Sequence, residues 1–170
     1  MFKRILIATH GTEGAKKAES YAIGLAREFG AEIHGLYVIH KDLGSLVGIE
    51  WLHNSHVRME FYRHAESEFY LRAEEVLEAF GEHAKGIEVT TAIKVGEPAE
   101  VIAEEAKNIE ADLIVIGGES KERSEEYKAK IPMKKLIKIA PCPVLVAHKN
   151  LMPSEKNINH CAVGFLNGIK

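Results

Sequence analysis

The run ADLIVIGG, residues 111–118, constrains this chain more than any other stretch. Residues 113–116 (Leu-Ile-Val-Ile) are apolar without a break and end in two glycines. A strand with no polar alternation has to be covered on both faces, which is the condition of a parallel sheet held between helices. In open sheets of that kind, ligands gather beyond the carboxyl ends of the strands, where glycines let backbone N–H groups approach an anion. The segment that follows, residues 119–130 (ESKERSEEYKAK), is long, charged and free of further glycine.

The rest of the chain supplies matching pieces. Residues 4–9 (RILIAT) read as a first buried strand, ending at the turn residues His10-Gly11-Thr12. Thr12 is a helix cap; Ala15, Ala18, Ala22, Leu25, Ala26 and Phe29 recur at helical spacing, and Gly30 closes the helix. Residues 32–39 (EIHGLYVI) follow as a second strand, completing a βαβ unit. Residues 40–50 read as a loop and residues 51–83 as one long helix. That helix carries Trp51, Tyr62, Phe69, Val76 and Phe80 on one side, and His53, His56, Glu60 and His64 on the other. Residues 87–95 (IEVTTAIKV) form a third strand, at an edge or half exposed. Gly96-Glu97-Pro98 turns into a helix with Val101, Ile102, Ala106 and Ile109 on its apolar face. A short helix over residues 132–139 and a last strand at residues 144–147 complete the count. Five strands alternating with four helices predict a three-layer, doubly wound α/β domain with a mainly parallel sheet.

A length of 170 residues suits one domain with a sizeable core. The net charge of −3 is spread over 25 acidic and 22 basic residues, so no basic patch predicts nucleic-acid binding. No apolar run approaches the ~20 residues of a membrane span, and the opening MFKRILIATH reads as a strand rather than a signal peptide. Cys142 and Cys161 make neither a disulfide framework nor a metal pair by spacing, which points to a reducing cytoplasm. Cys142, between two prolines at the head of an apolar strand, reads as a structural thiol. No Walker loop, no dinucleotide Gly-x-Gly-x-x-Gly and no hydrolase triad context is found.

Three segments carry a resemblance. FKRILIATHGTEGAKKAESYAIGLAREFGAEIHGLYVI resembles the first βαβ unit of the universal stress protein (UspA-like) family. VGEPAEVIAEEAKNIEADLIVIGG resembles its third strand, third helix and fourth strand, and IAPCPVLVAHK its closing helix and strand. The resemblance implies the adenine nucleotide alpha hydrolase-like fold, a five-stranded sheet in the order 3-2-1-4-5. It also implies a domain over residues 1–149, homodimerisation through the last strand, and a tail, residues 150–170, near the dimer contact. A further protein partner is left open.

The same resemblance defines a nucleotide crevice lined by Thr9, His10, Gly11, Val38, His40, Ile116, Gly117, Gly118, Ser120, Lys130 and Ile131. ATP-binding members of the family carry a glycine, two residues, a second glycine, nine residues, then Gly-Ser or Gly-Thr. Here Gly117 fits the first position, while Ser120 stands at the second and Lys130-Ile131 at the closing pair. His10 and His40 stand where the family commonly has Asp. Val38 resembles the adenine-contacting valine, and Ile116 the apolar residue before the first glycine. The expectation is therefore a non-catalytic binding or regulatory module with no firm cofactor and a degenerate pocket, its adenine side kept and its phosphate side eroded. The alternative is an ATP- or adenine-nucleotide-binding stress protein with weak ATPase activity. A third reading, metal binding through His10 and His40, rests on two imidazoles, which do not make a site by themselves.

Overall fold

The computed structural model describes residues 2–41, 55–118 and 131–147. In chain order the elements are β1 (Arg4–Ala8), α1 (Glu13–Phe29), β2 (Glu32–His40), α2 (Ser55–His83) and β3 (Val89–Gly96). They continue with α3 (Pro98–Asn108), β4 (Leu113–Gly117), α4 (Met133–Ile139) and β5 (Val144–Ala147). The strands form one sheet in the order β3-β2-β1-β4-β5, and every pairing is parallel.

The central strands are buried as their composition requires. Ile5, Leu6 and Ile7 of β1 and Ile114, Val115 and Ile116 of β4 are all fully inaccessible. Alternation splits them between two cores. Ile5, Ile7 and Val115 pack with Ala18, Ala22 and Ala26 of α1 and Phe80 of α2. Leu6, Ala8, Ile114 and Ile116 pack with Ala99, Ile102 and Ala106 of α3 and Leu136 of α4. One face of the sheet is thus covered by α1 and α2, the other by α3 and α4.

Local signals at the helix ends are realised. The Thr12 side chain accepts a hydrogen bond from Ala15 N, and Gly30 closes α1 in the left-handed region. Pro98 opens α3, as its missing N–H permits. Several strand bounds differ by a residue or two. β1 ends at Ala8, although Thr9 N still donates to Leu36 O at 3.0 Å. β2 runs on to His40 and β4 takes in Gly117. β3 begins at Val89 rather than residue 87, because Gly86 adopts a positive φ of 88° and Ile87 N bonds back to Ala84 O at 3.1 Å.

The long helix is described from Ser55, and the expected start at Trp51, together with His53, lies outside the described residues. Its 29 residues span about 43 Å, well beyond the roughly 30 Å of the longest strand. Ala73, Leu77, Phe80 and Ala84 are buried against the sheet, and of the earlier turns Ala65 is buried while Val57, Met59 and Phe61 are exposed. His56, Glu60 and His64 are exposed along the same half of the helix. Among the described residues no helix is long and apolar enough to cross a membrane.

Candidate nucleotide crevice

β1, the middle strand, and its two neighbours β2 and β4 deliver the residues on which the expected crevice depends, at the carboxyl edge of the sheet. Thr9 leaves β1 on the α1 side, and its hydroxyl donates to Oε1 of Glu19. Both groups are buried, Glu19 to 5% residual exposure, so its side chain is an internal acceptor. Gly11 follows with φ 76°, and a Cβ there would lie 2.7 Å from Cγ2 of Val76 on α2. This turn therefore needs glycine both for its backbone and for the space beside α2.

His10 stands between these two. Its Nε2 lies 3.3 Å from Thr12 Oγ1. Burial pushes its imidazole below the ordinary range, and the positive charge of Arg72 on α2 pushes the same way. A cavity of about 240 Å³ opens nearby between α1 and α2, lined by Gly11, Lys16, Glu19, Arg72, Glu75, Val76, Ala79 and His83.

His40 has a different neighbour. At the end of β2 its Nε2 lies 3.5 Å from Oε2 of Glu97, the residue at the N-cap of α3, whose side chain makes no capping bond. Glu100, one turn on, accepts a hydrogen bond from Lys135 Nζ at 2.8 Å and ties α3 to α4. His10 is thus engaged within the β1–α1 turn and His40 at the head of α3. Among the described residues no group of three or more His, Cys, Asp or Glu side chains converges as a metal site requires.

Val38 and Ile116 do share a surface. Both belong to the core on the α3–α4 side, Ile116 fully buried and Val38 partly so, and Ile131 and Met133 pack against the same cluster. Gly117 has a separate role. A Cβ on it would sit 2.7 Å from the carbonyl C and O of Gly14 and 2.9 Å from Ala15 N, while a Cβ on Gly14 would sit 2.9 Å from Gly118 O. The end of β4 and the first turn of α1 meet backbone to backbone. Ser120 and Lys130 lie outside the described residues.

Sequence reading missed Glu19, Gly14, Arg72 and Glu97. The β-region residue Thr9 followed ten residues later by a glutamate on the alanine-lined side of α1 was the one available hint for Glu19.

The order of the sheet, the two helical layers and this strand-end arrangement can be set beside known proteins. The sequence profile described as universal stress protein family matches residues 1–148. The chain belongs to the universal stress protein family. A curated relative, a universal stress protein of Methanocaldococcus jannaschii, is 31% identical over 149 residues, covering 88% of this chain and 84% of the relative. Among solved structures, the universal stress protein UspA from Lactobacillus plantarum superposes with a TM-score of 0.65 at 22% identity, covering 86% of this chain and 97% of that one. A universal stress protein from Archaeoglobus fulgidus, solved in complex with dAMP, superposes with a TM-score of 0.56 at 17% identity, covering 86% of this chain and 97% of that chain. The family's five-stranded fold, in the order 3-2-1-4-5, is the fold observed here.

Proposed function

We propose that this universal stress protein is a non-catalytic binding module whose crevice takes the adenosine part of an adenine nucleotide and holds a triphosphate poorly. The observation that carries the reading is the contrast between the two halves of the crevice. Val38 and Ile116 stand in one apolar cluster on one sheet face, as the family's adenine side has apolar residues at these positions. On the phosphate side, Gly117 is occupied by its contact with Gly14, and Ile131 packs into the core where the family pattern has a small hydroxyl residue. Anion capture at a strand end depends on free backbone N–H groups and on glycine at the close approach. The dAMP held by the Archaeoglobus relative is a monophosphate, which agrees with a site that relies on the base.

Isothermal titration of the full chain with AMP and with ATP plus magnesium tests this. The expected outcome is measurable heat with AMP, no gain in affinity with ATP, and ATP hydrolysis no faster than in buffer. Binding of ATP much tighter than AMP overturns the reading. The same proposal takes the module to be a homodimer through β5, which is the outer strand on its side of the sheet among the described residues. A monomer mass by light scattering at micromolar concentration rejects that part alone.

A further inference from the structure

The opposite edge of the sheet has features that the nucleotide reading does not use. β3 is the outermost strand on that side among the described residues. Ile33 N donates to Glu88 O at 2.9 Å and Lys41 N to Gly96 O at 3.2 Å, which fixes the direction of its backbone. Residues 88, 90, 92, 94 and 96 turn their peptide groups toward β2. Val89, Thr91, Ile93 and Val95 therefore turn theirs outward, in the row that an added strand pairs with.

Above this row runs a groove of about 720 Å³ between β3 and α2. Leu77 and Gly81 of α2, with Ala84 just beyond its end, form its roof, and Val89 and Ile93 its floor. Gly81 has nothing within 4 Å of where a Cβ would stand, so the roof is open at its middle. A strand placed one spacing out, ~4.8 Å from β3, would send alternate side chains under this overhang. Edge strands are commonly guarded by a lysine. Lys94 does not guard this one, because its Nζ lies on the other sheet face, 3.5 Å from Oε2 of the buried Glu105.

The groove is also polarised. Leu77 packs with Ile93, and Ala84 with Ile87 and Val89, so α2 runs antiparallel to β3 above it. Glu74 and Glu78, one turn apart, thus overhang the carboxyl end of β3, and Lys85 overhangs its amino end. We propose that the outer edge of β3 takes an extended peptide segment of a partner protein as a sixth strand, with basic side chains at the end that meets Glu74 and Glu78. Backbone pairing supplies the affinity, and the roof and the glutamates select the side chains.

The probe is a fluorescein-labelled, end-capped peptide of about seven residues alternating Val and Thr, with two Arg on the groove-facing positions at one end. It is titrated into the full chain and followed by anisotropy, beside an otherwise equal peptide with Asp in place of Arg. The expected result is saturable binding of the Arg peptide, weakened by roughly tenfold or more in Gly81→Leu and in a Glu74→Lys, Glu78→Lys double variant. Gly81→Leu fills the roof at a helical position with open space around it, so circular dichroism should show the fold retained. Thr91→Pro removes an outward N–H without touching the bonds to β2 and should weaken binding alike. No binding of the Arg peptide, equal binding of the Asp peptide, or binding unmoved by Gly81→Leu overturns the proposal. A chain whose dimer dissociates on Thr91→Pro overturns it in favour of a second copy. None of these readouts involves nucleotide.

Discussion

Replacing Gly117 by alanine separates two roles for that residue. The added Cβ would stand 2.7 Å from C and O of Gly14 and 2.9 Å from Ala15 N, all backbone atoms. Ordinary carbon contacts begin near 3.5 Å, so the first turn of α1 has to retreat by roughly 0.8 Å. It has little freedom to do so. Gly14, Ala15, Ala18 and Ala22 are buried, and the small side chains of α1 hold it close to the sheet. Overpacking of this kind costs about 1–3 kcal/mol. For a chain of this size each kcal/mol moves the midpoint by ~2–4 °C, so Gly117→Ala should melt roughly 2–12 °C lower than the parent. Gly24→Ala is the control: it lies within α1, is exposed and has nothing within 4 Å of its Cβ position. Removing a glycine from a helix interior there should raise stability by about 0.5–1 kcal/mol. Calorimetry of both variants decides. If Gly117→Ala melts at or above the parent while Gly24→Ala behaves as expected, the packing argument is wrong. An unchanged melt with lost AMP binding would instead make Gly117 a ligand contact.

Further outcomes follow from the buried and titrating groups. Thr9→Val keeps the shape of the side chain but removes the donor to the buried Glu19 carboxylate, and should cost about 1–3 kcal/mol in urea unfolding, with little loss in a Thr9→Ser variant. His10, held below its ordinary value of 6.5, binds its proton more readily in the unfolded chain. Stability should therefore fall as pH drops below 6.5 and level off once the pH passes the folded value; His10→Gln should flatten that slope, and an identical slope would refute the assignment. Cys142 has its thiol pushed up to about 11, first by burial and then by the charge of Asp112. Alkylation by iodoacetamide near neutral pH should be far slower at Cys142 in the folded chain than in urea, as followed by peptide mass mapping, and equal rates would contradict this.

Much of the fold could be read locally. The caps at Thr12 and Gly30, Pro98 at the head of α3 and the unbroken apolar runs of β1 and β4 depend on neighbours in sequence, and each is found in place. Val38 and Ile116 lie on the same sheet face, because alternation along a parallel strand fixes which face a residue serves. What escaped depends on register between distant segments. Glu19 is internal only because α1 lays it over Thr9. His34 meets Thr90 Oγ1 through Nδ1 at 2.7 Å, and its Nε2 lies 3.2 Å from Oε1 of Glu105; no local pattern brings β2, β3 and α3 together in that way. The Nε2–Glu105 contact is close in distance but poorly aligned as a hydrogen bond.

The two roles available to a strand-end glycine bear on how the crevice should be interpreted. Matching the family pattern at Gly117 looks at first like a remnant of phosphate binding. The geometry gives that glycine a reason to be there in the apo protein, since any side chain would press on the backbone of α1. Its presence is then uninformative about phosphate. The positions that discriminate are Ser120, Lys130 and Ile131, which stand where the family pattern has its second glycine and its closing Gly-Ser or Gly-Thr pair. All three depart from the family pattern, whereas Val38 and Ile116, which the proposed function places on the adenine side, agree with it. On the proposed reading, the crevice binds through apolar contact with the base rather than through backbone donors to phosphate. Such binding should depend weakly on phosphate number and on ionic strength. Equal AMP affinity at low and moderate salt is therefore the outcome that this division of the crevice requires, and a steep fall with salt would restore the phosphate side as the principal contact.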